Sequence, residues 1–384
     1  MTAPEPAADI TALAARGRRL ARAGEHARAV RVFRRLAEAD PDNAEWWWRL
    51  TQLHHRLGRE PAARRAAVRA LAVDGGATSV DRALLRTTPA ELRARRRTAQ
   101  FVAEHLDDIR RRAAAGVSAA PRRSAPRVFT FWAQGFAEAP PVVQRCRQEA
   151  RRWHTDEQLV ALTDADIAAV VSLPPVVVER TSADKTRFSD FLRLQLLLDH
   201  GGVWMDATCL TRSNLVEAFP ALTGSGFFAF ERRTNRLSNW MLAASPGHPV
   251  IAMLRAAHLV FWEQHERVWH YYLFHHLFEA LVLLDAGFRQ QWQRSPRLSA
   301  GPPHALQEHL DAPYTEPQLR ELLNGSFVHK LTYKYDAGEV GPQTLLGHLV
   351  DHGLPPDLDE IAVDRWVKPP GRWRRLARRG LRSA

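Results

Sequence analysis

DKTRFSDFLRLQLLLDH (184–200), the pair Gly201–Gly202, and VWMDATCL (203–210) decide the reading of this chain. The first run has the pattern of a helix that is apolar nearly all round, through Phe188, Phe191, Leu192, Leu194, Leu196, Leu197 and Leu198. A helix with no polar side is a buried helix. Two glycines stop it, because glycine accepts the left-handed backbone of a helix C-terminus. The second run reads as one buried strand. Arg187, Asp190 and Arg193 stand at i, i+3 and i+6 and so share one stripe of the helix. Buried charge is costly unless it is paired or meets a ligand. Asp206 lies towards the end of the strand, and open α/β sheets take ligands at the carboxyl ends of their strands. Asp190, Arg193 and Asp206 are therefore expected to converge on one crevice. The alternative is an internal salt-bridge network of Asp190 with Arg187 or Arg193.

The surrounding texture agrees with a sheet. RVFTFW (127–132) and QLVALT (158–163) are short β-type runs, with PPVVQRCRQEARRW (140–153) as a helix between them. DADIAAVVS (164–172) follows as a short helix capped by Asp164. Strand and helix in alternation predict an α/β fold with a largely parallel sheet. Before this, residues 10–77 read as helix after helix. Gly24 and Gly58, like Ala29 and Ala63, stand 34 apart, with Trp47, Leu50 and Ala70 at tetratricopeptide-like offsets. Trp46, Trp47 and Trp48 cannot share one helix face. The small, basic stretch 113–126 reads as a linker. The expected organisation is helical repeats over 1–80, charged helix and linker over 81–125, an α/β domain over 126–345, and an extension over 346–384.

The chain has 384 residues, 45% hydrophobic and 25% charged, which suits a globular protein with a sizeable core. Its net charge is +12, and of 54 basic residues only Lys185, Lys330, Lys334 and Lys368 are lysines. From Trp366 onward there are seven basic residues and no acid, with Trp366 and Trp373 among them. That composition suits a segment lying on an anionic membrane leaflet. No apolar run reaches the length of a membrane span, and the N-terminus lacks a signal-peptide pattern. A cytoplasmic protein, peripheral at the inner membrane face, is the expectation. Cys146 and Cys209 cannot build a disulfide framework. Phosphate-loop, dinucleotide and hydrolase-elbow motifs are absent. In HERVWHYYLFHH (265–276) the histidines 265 and 270 are i, i+5, which rejects the zinc-helix pattern. No nucleic-acid-binding motif accompanies the charge, so no nucleic-acid partner is expected.

KTRFSDFLRLQLLLDHGGVWMDAT (185–208) resembles the SD-x-x-R…GG-x-(W/Y)-x-D signature of DXD-type sugar transferases. These include glycosyltransferase family 32 and, most closely, the capsular polysaccharide synthesis protein family. Residues 126–146, 238–251 and 326–334 are similar to that family's other blocks. The resemblance implies a GT-A-like nucleotide-sugar-binding domain, preceded here by the α-helical tetratricopeptide-like region. It implies retaining transfer of a hexosyl group from a nucleotide-sugar donor to a glycan acceptor, with a Mn²⁺ or Mg²⁺ cofactor. Carried over by position, Asp190 and Arg193 hold the donor's sugar or ribose. Asp206 binds the donor directly or through the ion, and Phe131, Trp132 and Gln134 flank the base. His329 completes the metal set with Asp206 and Thr208, while Lys330 and Lys334 face the diphosphate. Glu231 and Asn239 are acceptor-side or anomeric-face candidates. The second DXD acid is Thr208 here, and hard cations prefer carboxylate oxygens. With weak metal, Arg193, Lys330 and Lys334 are left to neutralise the diphosphate. Thr208 also favours the alternative, a non-catalytic interaction protein on a GT-A-like scaffold. The repeats are expected to dock a protein partner or the acceptor.

Overall fold

A computed structural model describes residues 10–73, 89–120, 125–232, 236–335 and 341–367. Residues 121–124 of the expected linker and the basic tail from Lys368 lie outside them. Contacts divide the chain into two units, Met1–Leu106 with Val268–Arg289, and Asp107–Arg267 with Gln290–Ala384.

The first unit opens with α1 (Ile10–Arg22), α2 (His26–Ala39), α3 (Ala44–Arg56) and α4 (Glu60–Ala72). Gly24 and Gly58 both have positive φ, +78° and +67°. Each lets the chain turn after the first helix of a pair, and the next amide reaches back to Leu20 and His54 respectively. Gly17 packs so closely on Phe33 that a Cβ there would sit 3.0 Å from the ring. Ala29 and Ala63 are fully buried, which explains the small residues of the repeat. Trp46 is buried against Phe33, whereas Trp47 turns its indole N–H to the Pro41 carbonyl. α1, α2 and α3 line a groove of about 150 Å³, with Arg18, Arg22, Arg49 and Arg56 around Phe33 and Leu53.

Helix α5 (Pro89–Ala119) runs seven residues into the stretch read as linker. Its alanines are helix formers, and the helix ends two residues before Pro121. Within the first unit Arg95 of α5 pairs with Glu279 of the helix Leu273–Leu284 at 2.9 Å. Residues 265–272 are turns rather than helix, so the histidines there share no helical face.

The second unit holds β1 (Val128–Phe131), α6 (Pro141–Trp153), β2 (Leu159–Leu162), α7 (Pro175–Thr181) and α8 (Lys185–Asp199). Thr163, with Asp166 in a reciprocal pair, caps the turn before Ile167; the cap expected at Asp164 is one residue off. Asp184 caps α8 by accepting from the amides of Thr186 and Arg187. β3 (Gly202–Met205) and β4 (Cys209–Thr211) follow, then β5 (Phe227–Arg232), β6 (Arg236–Ala244) and α9 (Pro249–Gln264). β7 (Arg297–Ser299), α10 (Glu316–Asn324), β8 (Val328–Lys330) and α11 (Leu345–His352) complete it.

The main sheet has the order β2-β1-β3-β6-β5-β7. β1–β2, β1–β3 and β5–β7 are parallel; β3–β6 and β5–β6 are antiparallel. It is therefore parallel-dominated but mixed. α8 is covered by α9, where Arg255 donates to Gln195 at 2.9 Å, which accounts for its apolar circumference. Gly202 has φ +94° and lies so close to β1 that a Cβ would meet the Arg127 carbonyl at 2.4 Å.

VWMDATCL is not one strand. It breaks after Met205: the Asp206 amide bonds the Trp240 carbonyl, the Cys209 amide bonds the Asp206 carbonyl, and β4 leaves to pair with β8. The cause is long-range. β6 takes one half of the run and β8 the other.

Candidate functional site

The three strands β2, β1 and β3 run parallel, so their carboxyl ends open on one side. Asp206 emerges there from the break between β3 and β4. Trp204, two residues earlier on the same strand face, donates its indole N–H to Asp206 Oδ1 at 2.9 Å. The Arg193 Nη2 lies 3.6 Å from that Oδ1, and the Lys330 Nζ lies 3.7 Å from Oδ2.

Behind Asp206 the charges are buried and densely paired. Asp190 accepts from Asn239 Nδ2 at 2.9 Å and lies 3.3 Å from Arg193 and 3.4 Å from Arg187. Arg193 donates further to the carbonyls of Ser189 (2.9 Å) and Asn239 (2.5 Å), and its guanidinium stacks 5.0 Å over Trp204. Burial pushes the Asp190 carboxyl above the usual range, against the pull of Arg193 and Arg187. Asp190 and Arg193 are 4% and 3% exposed, whereas the side chains of Asp206 and Lys330 are 27% and 20% exposed. The sequence stripe thus does converge on Asp206, with an ordering the sequence did not show. Asp206 and Lys330 face outward, and Asp190 and Arg193 support them from within.

The loop after β1 carries Trp132, half-buried, and Gln134, exposed, at the same end of the sheet. Phe131 is buried against Phe188 at 5.7 Å and so forms wall rather than surface. Trp132 meets Tyr333 edge-on at 5.2 Å, which brings the segment after β8 beside the β1 loop. Tyr333 and Trp204 lie inside the blocks quoted from the sequence, but neither is given a role there. Trp204 was available from strand alternation, two positions before Asp206. Lys334 is exposed beside Tyr333, 5.7 Å from its ring centre.

Two candidates stand elsewhere. His329 does not join Asp206: it is fully buried, its Nε2–H donates to the Leu323 carbonyl at 3.1 Å, and burial pushes it down to about 4. Successive strand residues face opposite sides, so Lys330 reaching Asp206 turns His329 away. Glu231 pairs with Arg297 at 3.5 Å across β5 and β7, towards the sheet edge. Asn239 is brought in, but its amide is committed to Asp190.

A divalent ion does not suit these donors. Among the described residues no three His, Cys, Asp or Glu side chains form a metal-holding group. Asp206 is one carboxylate with two cations within 4 Å, and the Thr208 hydroxyl is engaged by Lys330 Nζ. With the carboxylates ionised, Arg187, Arg193 and Lys330 balance Asp184, Asp190 and Asp206, so no uncompensated carboxylate is left to draw in a divalent cation. Cys146 and Cys209 are free and buried, and burial pushes the Cys146 thiol up to about 12.

A family model described as capsular polysaccharide synthesis protein matches residues 88–349. The chain belongs to the capsular polysaccharide synthesis protein family. The match runs across α5, the main sheet, the Asp206 break and β8, so the whole charged cluster lies inside it. Membership in this capsular family suggests a glycosyltransferase-like role. A tetratricopeptide repeat model matches residues 20–86, most of the helical region. No curated protein and no solved structure matches the chain. No helix among the described residues is long and apolar enough to cross a membrane.

Proposed function

We propose that this protein is a glycosyltransferase that moves a sugar from a nucleotide-sugar donor to a glycan or lipid-linked glycan acceptor in capsular or surface polysaccharide synthesis. The observation that supports it is an outward-facing carboxylate and ammonium, Asp206 with Lys330, at the carboxyl end of a parallel β-strand pair in a chain of this family. The domain is taken as GT-A-like. In the reaction the bond from the anomeric carbon to the diphosphate breaks and the diphosphate keeps the electron pair. An acceptor hydroxyl forms the new bond and passes its proton to the departing diphosphate. The transition state is oxocarbenium-like, so fixed positive charge at the departing diphosphate lowers the barrier. Lys330, with Lys334 nearby, supplies that charge; Arg193 holds Asp206 in place. Trp132, with Gln134 and the Phe131 wall, flanks the base. Retention of configuration follows from the resemblance to family 32. Neither Asn239 nor Glu231 is assigned a covalent role, since each is engaged by a neighbour.

Thr208 in place of a second acid favours a second reading, a non-catalytic interaction protein on the same scaffold. Either way, the arginine-rimmed groove of α1–α3 suits an acidic segment of a protein partner. The test is a thermal-shift panel of nucleoside diphosphates and nucleotide sugars on the full chain. A ligand that binds only the folded state raises the melting point. No shift with any of them at millimolar concentration overturns the transferase reading.

A further inference from the structure

The ammonium of Lys330 lies against the DAT element itself. It contacts the Thr208 hydroxyl directly and lies 3.7 Å from Asp206 Oδ2, so it bridges the first and third positions of the DAT element. The arrangement is built rather than incidental. β8 pairs with β4 in register, Cys209 opposite Lys330, which fixes the lysine backbone beside the strand break. The Lys330 side chain is mostly covered, with 20% of its surface left exposed. An ammonium has three N–H donors. One goes to Thr208 and one to the Leu331 carbonyl at 3.3 Å. Asp206 at 3.7 Å attracts it without taking a short hydrogen bond. One N–H is left for an anion arriving from the solvent side. Arg193, on the far side of Asp206, offsets that carboxylate, so the anion does not meet an uncompensated negative charge.

We propose that Lys330 is the built-in counter-ion of this site and binds the donor's diphosphate without a divalent metal. Asp206 and Thr208 then hold the ammonium rather than a metal ion. The sugar part of the proposal rests on the transferase reading; the diphosphate part stands on the cluster itself. A metal bridge and a lysine bridge make opposite demands on Asp206. A metal-binding Asp206 is required for diphosphate binding. A lysine-holding Asp206 is not itself a ligand of the diphosphate: Asp206→Asn keeps an oxygen facing the ammonium and removes one negative charge from the site, so binding is retained or tightened.

The test is calorimetric titration of the full chain with inorganic pyrophosphate in EDTA. The wild type and Asp206→Asn are expected to bind, Asp206→Asn at least as tightly. Lys330→Met is expected to bind at least tenfold more weakly, and Lys330→Arg to recover most of the loss. Circular dichroism melts of each variant separate lost binding from lost folding. Three results overturn the proposal. One is pyrophosphate binding by the wild type only after Mn²⁺ replaces EDTA. Another is abolished binding in folded Asp206→Asn. The third is unchanged binding in Lys330→Met. Pyrophosphate binding in EDTA with no response to any nucleotide or nucleotide sugar upholds the lysine site and removes the transferase reading.

Discussion

The Nη2 of Arg193 lies 3.6 Å from Oδ1 of Asp206, joining the buried part of α8 to the strand end where the sheet opens. Arg193 also neutralises Asp190 from the same position. Removing one partner of a buried pair strands the other charge, at about 3–5 kcal/mol. Arg193→Ala is therefore expected to destabilise the fold by that amount. Asp206→Asn, at a partly exposed site, is expected to cost about 1 kcal/mol or less. Urea unfolding measures both, and equal costs would show that the cluster does not clamp α8 to the sheet.

Trp132 and Lys330 are expected to separate base recognition from diphosphate recognition. Trp132→Ala removes a stacking surface, worth about 1–3 kcal/mol per base in aromatic platforms. It should weaken nucleoside diphosphate binding at least about fivefold and leave pyrophosphate binding unchanged. A variant that loses both equally would place Trp132 in the scaffold rather than at the base.

His329 and His248 are both buried and pushed from 6.5 to about 4 by desolvation. Between those values the unfolded chain binds the proton and the folded one does not, so stability rises with pH through this window. The contribution, up to about 3 kcal/mol per imidazole, is complete above pH 6.5 and is lost as the pH falls to 4. His329→Gln is expected to show a smaller stability difference between pH 7 and pH 5 than the wild type. An unchanged difference would mean that His329 takes up its proton while still folded.

Gly202 begins β3 with a left-handed φ and its Cα against the β1 backbone. Gly202→Ala adds a methyl group that meets the Arg127 carbonyl oxygen. The expected cost is above about 2 kcal/mol, more than the φ penalty alone. Gly135→Ala, at φ +93° with open space around it, serves as the control and should cost about 1 kcal/mol. Thermal unfolding of the two variants compares them; similar losses would mean that strand contact adds nothing to the backbone strain.

The basic tail predicts attachment to an anionic leaflet. Flotation with vesicles containing phosphatidylserine should carry the full chain and leave behind a chain ending at Asp364. Equal flotation of both removes the tail from the account.

The apolar run 188–198 and its polar stripe were legible because both follow from helix periodicity within one segment. So was the repeat, since Gly24 and Gly58 each end a helix in the same backbone conformation. The break at Asp206 was not legible, because it depends on β6 and β8, partners distant in sequence. The antiparallel β6 made the sheet mixed for the same reason. His329 and Lys330 could not both face the site, and strand alternation already contained that exclusion. Which of the two points inward required the β4–β8 register.

Thr208 and Lys330 are 122 positions apart, and the site is whole only when β8 has paired with β4. During synthesis at about 5–20 residues per second, Lys330 follows Thr208 by about 6–24 seconds. For that interval the nascent chain carries an Asp206 with no ammonium beside it. A product broken off before residue 328 has the first acid of its motif and none of the bridge. The Lys330–Thr208 bridge thus becomes available late, after most of the main sheet has been made.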